Sequence, residues 1–177
     1  MHRKAIFLAA IVLASLSAWA QMAPKPSPEV KKLDYFVGSW TTDATIAPGP
    51  WGNGGKFTAT GTTEWMDGSF FVVTHSDFKM PPELGGDGKE LSLMGYDTQQ
   101  NTYVYEGFNS QGNHESSKGS VSGDTWTWTS EANYGGQDVK QKLTMKVLSP
   151  TSYSVKFEVS TDGTTWLPFF EGKATKK

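Results

Sequence analysis

The stretch "SKGSVSGDTWTWTS", Ser117 to Ser130, decides how the rest of the chain is read. Gly123-Asp124 at its centre has the chemistry of a two-residue hairpin turn, because both residues tolerate the positive φ that such turns need. The flanks alternate with period two, the signature of half-buried strands. This turn sets Val121 opposite Trp126, Gly119 opposite Trp128 and Ser117 opposite Ser130. Small residues facing large rings on one side, with threonine and serine on the other, describe a wall whose inner face is buried.

The same alternation runs through most of the chain. About ten runs rich in Thr, Val, Phe, Tyr and Trp are separated by glycine-containing turns, at residues 38–46, 56–66, 69–79, 89–96, 102–109, 113–122, 125–131, 139–148, 152–160 and 164–174. In "KLTMKVL" the inward face is Leu143, Met145 and Val147, and in "YSVKFEV" it is Tyr153, Val155, Phe157 and Val159. So many strands must hide their edges, which predicts an all-β, ten-stranded, antiparallel up-and-down barrel. Asp67-Gly68 forms a second tight turn in this reading, pairing Trp65 with Phe70 and Thr63 with Val72.

One helix precedes the strands. Ser27-Pro28-Glu29 is a helix start, with serine to cap free amides, proline at the first helical position and glutamate at the positive end of the dipole. The helix covers 28–36 and stops before Gly38. The short connections at 67–68, 97–101, 123–124 and 149–151 fall at one end of the meander, and the longer ones at 47–55, 80–88 and 132–138 at the other. The helix enters the first strand from the short-turn end, so it closes the bottom of a cup whose mouth lies among the long loops.

Residues 1–20 have the form of a secretory signal peptide: Arg3 and Lys4, an apolar run from Ala5 to Leu16, and small residues at Ala18 and Ala20. The run is shorter than the roughly 20 residues that span a bilayer, so no membrane anchor is expected after cleavage. Residues 21–27, "QMAPKPS", read as a disordered leader, and 28–177 as one barrel domain, periplasmic or secreted. Loss of Arg3 and Lys4 takes the charge two below the −2 of the whole chain, which offers no surface for nucleic acid. The chain has no cysteine, which excludes disulfides, thiolate metal sites and a cysteine nucleophile.

"VGSW" after a short helix, "LMGYDTQQNTY" and the antiparallel meander together resemble the calycin group of lipocalins and fatty-acid-binding proteins. They more closely resemble a bacterial lipocalin-like family known as a secreted domain of unknown function. The resemblance implies that Gly38 and Trp40 sit at the closed end with the ring under the helix. Lipocalins often lay an arginine from the last strand across that indole, where this chain offers Lys173 or Lys176. The haem-binding, nitrobindin-like relatives use a histidine late in the barrel, and none follows His114 here.

His75 and His114 lie out of phase with the inward residues of their strands, so both are expected to face outward and no metal or haem site is assigned. "GSVSG" at 119–123 is not a nucleophile elbow, since it reads as strand and hairpin turn. "GGDGK" at 85–89 is flanked by strands, whereas a phosphate loop leads into a helix. Asp87 and Asp124 lack calcium-loop spacing. No catalytic residue and no cofactor is assigned.

What remains is collective. Phe57, Phe78, Tyr105, Ser117, Trp128 and Ser130 share the inward face in the middle or mouthward half of the barrel, and Glu115 has inward parity near the mouth. Rings with hydroxyls predict a binding protein for a small apolar or aromatic molecule. The alternatives are a calycin-type enzyme with Glu115 and Tyr105 as an acid-base pair, and an interaction module anchored by Trp51 and Tyr134 on the long loops.

Overall fold

The computed structural model describes residues 25–134 and 136–177, with Tyr134 described by its backbone alone. The expected signal peptide and most of the leader lie outside the described residues. Ten antiparallel strands close on themselves: β1 (Gly38–Ile46), β2 (Gly55–Trp65), β3 (Phe71–Lys79), β4 (Gly88–Asp97), β5 (Thr102–Asn109), β6 (His114–Ser122), β7 (Thr125–Tyr134), β8 (Gln137–Ser149), β9 (Ser152–Ser160) and β10 (Leu167–Lys176). Each strand pairs with its sequence neighbours, and β1 pairs with β10 to complete the barrel.

The helical segment covers the expected 28–36, in two forms. A single α turn, α1 (Pro28–Lys31), tightens into a 3-10 segment at Lys32–Phe36. Ser27 occupies the N-cap position without capping, and its buried hydroxyl has no partner among the described residues. Packing holds the segment instead, because Leu33 and Phe36 are buried among Val72, Tyr103, Trp126 and Met145 at the short-turn end of the barrel. The floor is therefore where the alternation of connections places it.

Trp40 is the keystone of that floor. Its indole N–H donates to the carbonyl of Phe36 at 2.8 Å, and its ring packs against Tyr35 and Tyr153. Of the two lysines that the last strand offers, Lys176 supplies the cation, with Nζ 5.2 Å from the ring centre and donating to the carbonyl of Tyr35. Gly38 takes φ +114°, a conformation that side chains avoid, at the turn from floor into wall.

Three expectations need correction. Trp65 pairs with Val72 and Thr63 with Thr74, two residues beyond the expected register, because Ser69 as well as Gly68 adopts positive φ and the turn takes more residues. The two-residue slip preserves which face points inward. The 132–138 stretch is not a long loop, since β7 and β8 continue until Tyr134 pairs with Gln137. Val121–Trp126 and Gly119–Trp128 pair as expected, but the β6–β7 ladder ends at Lys118–Thr129, so Ser117 and Ser130 are not partners. Near the mouth β6 stays with β5 as far as Phe108–His114 while β7 follows β8, and the two strands part.

Candidate functional site

Above the floor, Trp126 and Trp128 stack nearly parallel with ring centres 6.3 Å apart, and Tyr103 meets Trp126 edge-on. These rings are buried, as is Val155 of the same cluster. The upper half of the interior has a different composition.

Two contiguous arcs make up its wall. On β9, β10, β2 and β3 stand Phe157, Phe170, Phe57 and Phe78. Phe170 stacks on Phe57 at 5.1 Å and on Phe157 at 5.5 Å. The arc from β4 to β8 carries hydrogen-bonding groups: Glu90, Ser92, Tyr105, Glu115, Ser117, Ser130 and Gln141. Ser92, Ser117 and Gln141 are buried, and Glu115 is exposed near the mouth.

Polar partners run along this second arc. Tyr105 stands opposite Met94 in the ladder, yet its hydroxyl donates to Glu90 Oε1 at 2.6 Å. The ring therefore reaches up the wall past Gly107, where a Cβ would come within 2.8 Å of the phenolic oxygen. Ser117 donates to Glu115 at 2.7 Å, and Ser130 to Gln141 at 2.9 Å. Burial raises the pKa of Glu90, the Tyr105 hydroxyl opposes that shift, and the nearby charge of Glu115 adds to it. Burial and the Glu90 charge raise the pKa of Tyr105 well above the usual phenol. The Tyr105 hydroxyl is thus engaged by Glu90 rather than by Glu115.

Glycines shape how the rings lie on the wall. Trp128 lies across Gly119, where a Cβ would stand 2.5 Å from the ring, and Phe78 lies across Gly88, where it would stand 2.3 Å away. Cross-strand glycine lets a ring fold flat onto the wall instead of projecting across the lumen.

Of the residues proposed from sequence, Tyr105, Glu115, Ser117 and Ser130 lie on the polar arc. Trp128 lies below it, 6.0 Å from Tyr105 between ring centres, and Phe57 and Phe78 lie on the aromatic arc. Glu90, Ser92 and Gln141 escaped sequence reasoning. Their signal was parity: Glu90 and Ser92 share a face with Met94 and Tyr96, and Gln141 shares one with Leu143 and Met145. His75 and His114 are exposed on the outer wall, where His114 stacks on Phe108 and pairs with Glu106 at 2.8 Å. Among the described residues no three His, Asp or Glu side chains group to hold a metal. Trp51 is half-buried rather than a free anchor, with its N–H bonded to Ala47 and its ring edge-on to Phe169. The side chain of Tyr134 lies outside the described residues. Two clefts, about 190 and 490 Å³, lie at the β1, β10 and β9 wall around Thr45, Lys156 and Glu171, and the smaller one reaches Phe170 of the aromatic arc.

Fold and interior together define a closed ten-stranded up-and-down barrel with a helical floor and an upper interior lined by an aromatic and a polar arc. The chain belongs to the DUF1579 family, described as a protein of unknown function, whose pattern matches residues 25–176. No curated protein matches the chain. Among solved structures it is similar to Rv2717c from M. tuberculosis, at 10% identity and TM-score 0.58, covering 86% of this chain and 99% of that one. It also matches a de novo designed fluorescence-activating β-barrel, at 14% identity and TM-score 0.45, over 81% of this chain and 95% of that one. A third match, EF1p2_mFAP2b bound to DFHBI, has 9% identity and TM-score 0.44 over 84% and 98%.

Proposed function

We propose that this protein is a non-enzymatic, calycin-type binding protein of the periplasm or exterior that holds a small, largely apolar or aromatic molecule in the upper lumen. The observation that carries the reading is the division of that lumen into one arc of phenylalanines and one of hydroxyls, carboxylates and an amide. The rings supply apolar area to bury and the polar arc orients the guest, as small-molecule sites require. Phe57, Phe78 and Trp128 form its apolar contacts. Tyr105, Glu115, Ser117 and Ser130 bind its polar end, joined by Glu90 and Gln141. The parting of β6 and β7 beside Glu115 and Ser117 is the route of entry.

Native mass spectrometry of protein purified from its own host tests this directly, with a retained small organic molecule as the expected result. Titration with the neutral apolar dye Nile red gives a second measure. Trp128→Ala is expected to weaken dye binding about tenfold or more, as loss of a central aromatic contact does, while His75→Ala leaves it unchanged. A protein that retains no guest and excludes the dye refutes the reading. Turnover of a retained guest, abolished by Glu115→Gln, would replace it with the enzymatic one.

A further inference from the structure

Asn53-Gly54, in the loop between β1 and β2, is the only place in the chain where glycine follows asparagine. The fold requires glycine there. Gly54 takes φ +76°, and a Cβ on it would come within 2.5 Å of the carbonyl oxygen of Ile46 and 2.8 Å of the nitrogen of Pro48. The chain bends at Asn53, which is exposed. Gly49 and Gly52 exchange their own pair of hydrogen bonds at 2.9 and 3.1 Å, and the β1–β2 ladder starts at Ile46–Gly55. Between these two bridges, neither the Asn53 side chain nor the Gly54 N–H has a hydrogen-bond partner among the described residues.

The other asparagines are held. Asn109 accepts from the N–H groups of Gln111 and Asn113, both at 3.0 Å, and the N–H that follows it, on Ser110, donates to the carbonyl of Lys89 at 2.8 Å. Asn133 donates to Asp138 at 2.8 Å and accepts from Gly136 at 2.9 Å. Asn101 and Asn113 precede Thr102 and His114, which carry side chains and open β5 and β6.

We propose that Asn53 is a site of spontaneous covalent modification, converting to isoaspartate and aspartate through a cyclic imide. Asparagine is a thermolabile residue, and glycine after it leaves the attacking nitrogen unshielded. The Gly54 nitrogen loses its proton to base and attacks Cγ of Asn53. The N–Cγ bond forms as the Cγ–Nδ2 bond breaks, and the amide nitrogen takes up a proton and leaves as ammonia. Water then opens the ring. Attack at Cγ restores the main chain and leaves aspartate, whereas attack at the main-chain carbonyl leaves isoaspartate, with the chain running through Cβ and Cγ. Both products add one negative charge at the mouth, and isoaspartate also lengthens the backbone by one atom. That atom has little slack to enter, because Gly54 is set against Ile46 and Pro48 while Gly52 is tied to Gly49 and lies under Leu84 of the β3–β4 loop. Isoaspartate therefore strains the Gly49–Gly52 bridge, and with it the seat of Trp51, bonded to Ala47 and set against Phe169.

The folded protein and the guanidinium-unfolded chain, aged side by side at mildly alkaline pH in water enriched in oxygen-18 and then digested with trypsin, test the site. Peptide 33–56 holds Asn53 as its one asparagine and has no glutamine, so a mass gain there reports this residue alone. Asn53 is expected to convert in the folded protein as fast as in the unfolded chain, taking up one heavy oxygen, with isoaspartate the larger product. Conversion at the other asparagines is expected to slow about tenfold or more on folding, since each must first open locally. Asn53→Gln, whose longer side chain closes a less favourable ring, should abolish the acidic form that anion exchange separates from fresh protein. That acidic, isoaspartyl fraction should melt below Asn53→Asp, which carries the charge without the added atom. Protection of Asn53 by folding, earlier conversion at another asparagine, or equal melting of the isoaspartyl fraction and Asn53→Asp overturns the inference.

Discussion

The indole of Trp128 lies flat across Gly119 on the adjoining strand, so close that a Cβ at residue 119 would stand 2.5 Å from the ring. The pair sets how far the tryptophan projects into the lumen. Gly119 has no positive φ to relieve, so only the ring suffers when a methyl is added. Gly119→Ala is expected to cost about 1–3 kcal/mol, the range for overpacking a core, and to weaken Nile red binding by pushing the ring inward. Urea denaturation of Gly119→Ala, Trp128→Phe and the double variant checks this. The double variant should be more stable than the sum of the single losses, since the smaller ring yields the space.

Trp40 joins helix, floor and last strand through one indole. Trp40→Ala is expected to cost about 3–5 kcal/mol, as removal of a buried aromatic usually does. Lys176→Ala, which removes the half-buried cation beside the ring, should cost about 1 kcal/mol or less. Thermal or urea unfolding reads both, and a loss below about 1 kcal/mol for Trp40→Ala would contradict the placement of the ring as a structural keystone.

Glu90 makes stability depend on pH in a definite direction. Its folded pKa is raised, so its contribution is fully present below the unfolded carboxylate value and is lost as pH rises through the folded one. Glu90→Gln keeps an oxygen that accepts from Tyr105 and removes the titration. The variant is therefore expected to gain stability relative to wild type between acid and neutral pH, with the gain levelling off above the folded pKa. Urea midpoints measured from pH 4 to pH 8 test it, and a gain that grows toward acid would reverse the sign.

Ser69 is held at φ +56° in the β2–β3 turn, where a side chain is disfavoured. Ser69→Gly is expected to be neutral or stabilising by up to about 1 kcal/mol, and Ser69→Val to cost about 1–2 kcal/mol. Equal unfolding midpoints for the two variants would show that the turn does not depend on this conformation.

The β2–β3 turn also shows where reading the sequence stops. Asp67-Gly68 marks a turn correctly, but nothing local announces that Ser69 will join it in positive φ, so the expected register is two residues short. Parity survives because period two is indifferent to an even slip. Gln141 and Ser92 escape for a related reason. A polar residue on an inward position looks like an interruption until the neighbouring strands supply its surroundings, here Ser130 beside Gln141 and Tyr105 beside Ser92.

The number of strands, the floor position of the helix and the inward parity of Tyr105, Trp128 and Ser117 were set by sequence alone, because alternation and turn chemistry act over a few neighbouring residues. The parting of β6 from β7 and the reach of Tyr105 past Gly107 to Glu90 were decided by tertiary structure. Each depends on residues far apart in the chain competing for one place on the wall: β7 follows β8 where it could have followed β6, and a phenol settles on a carboxylate 15 positions away because a glycine leaves its path open.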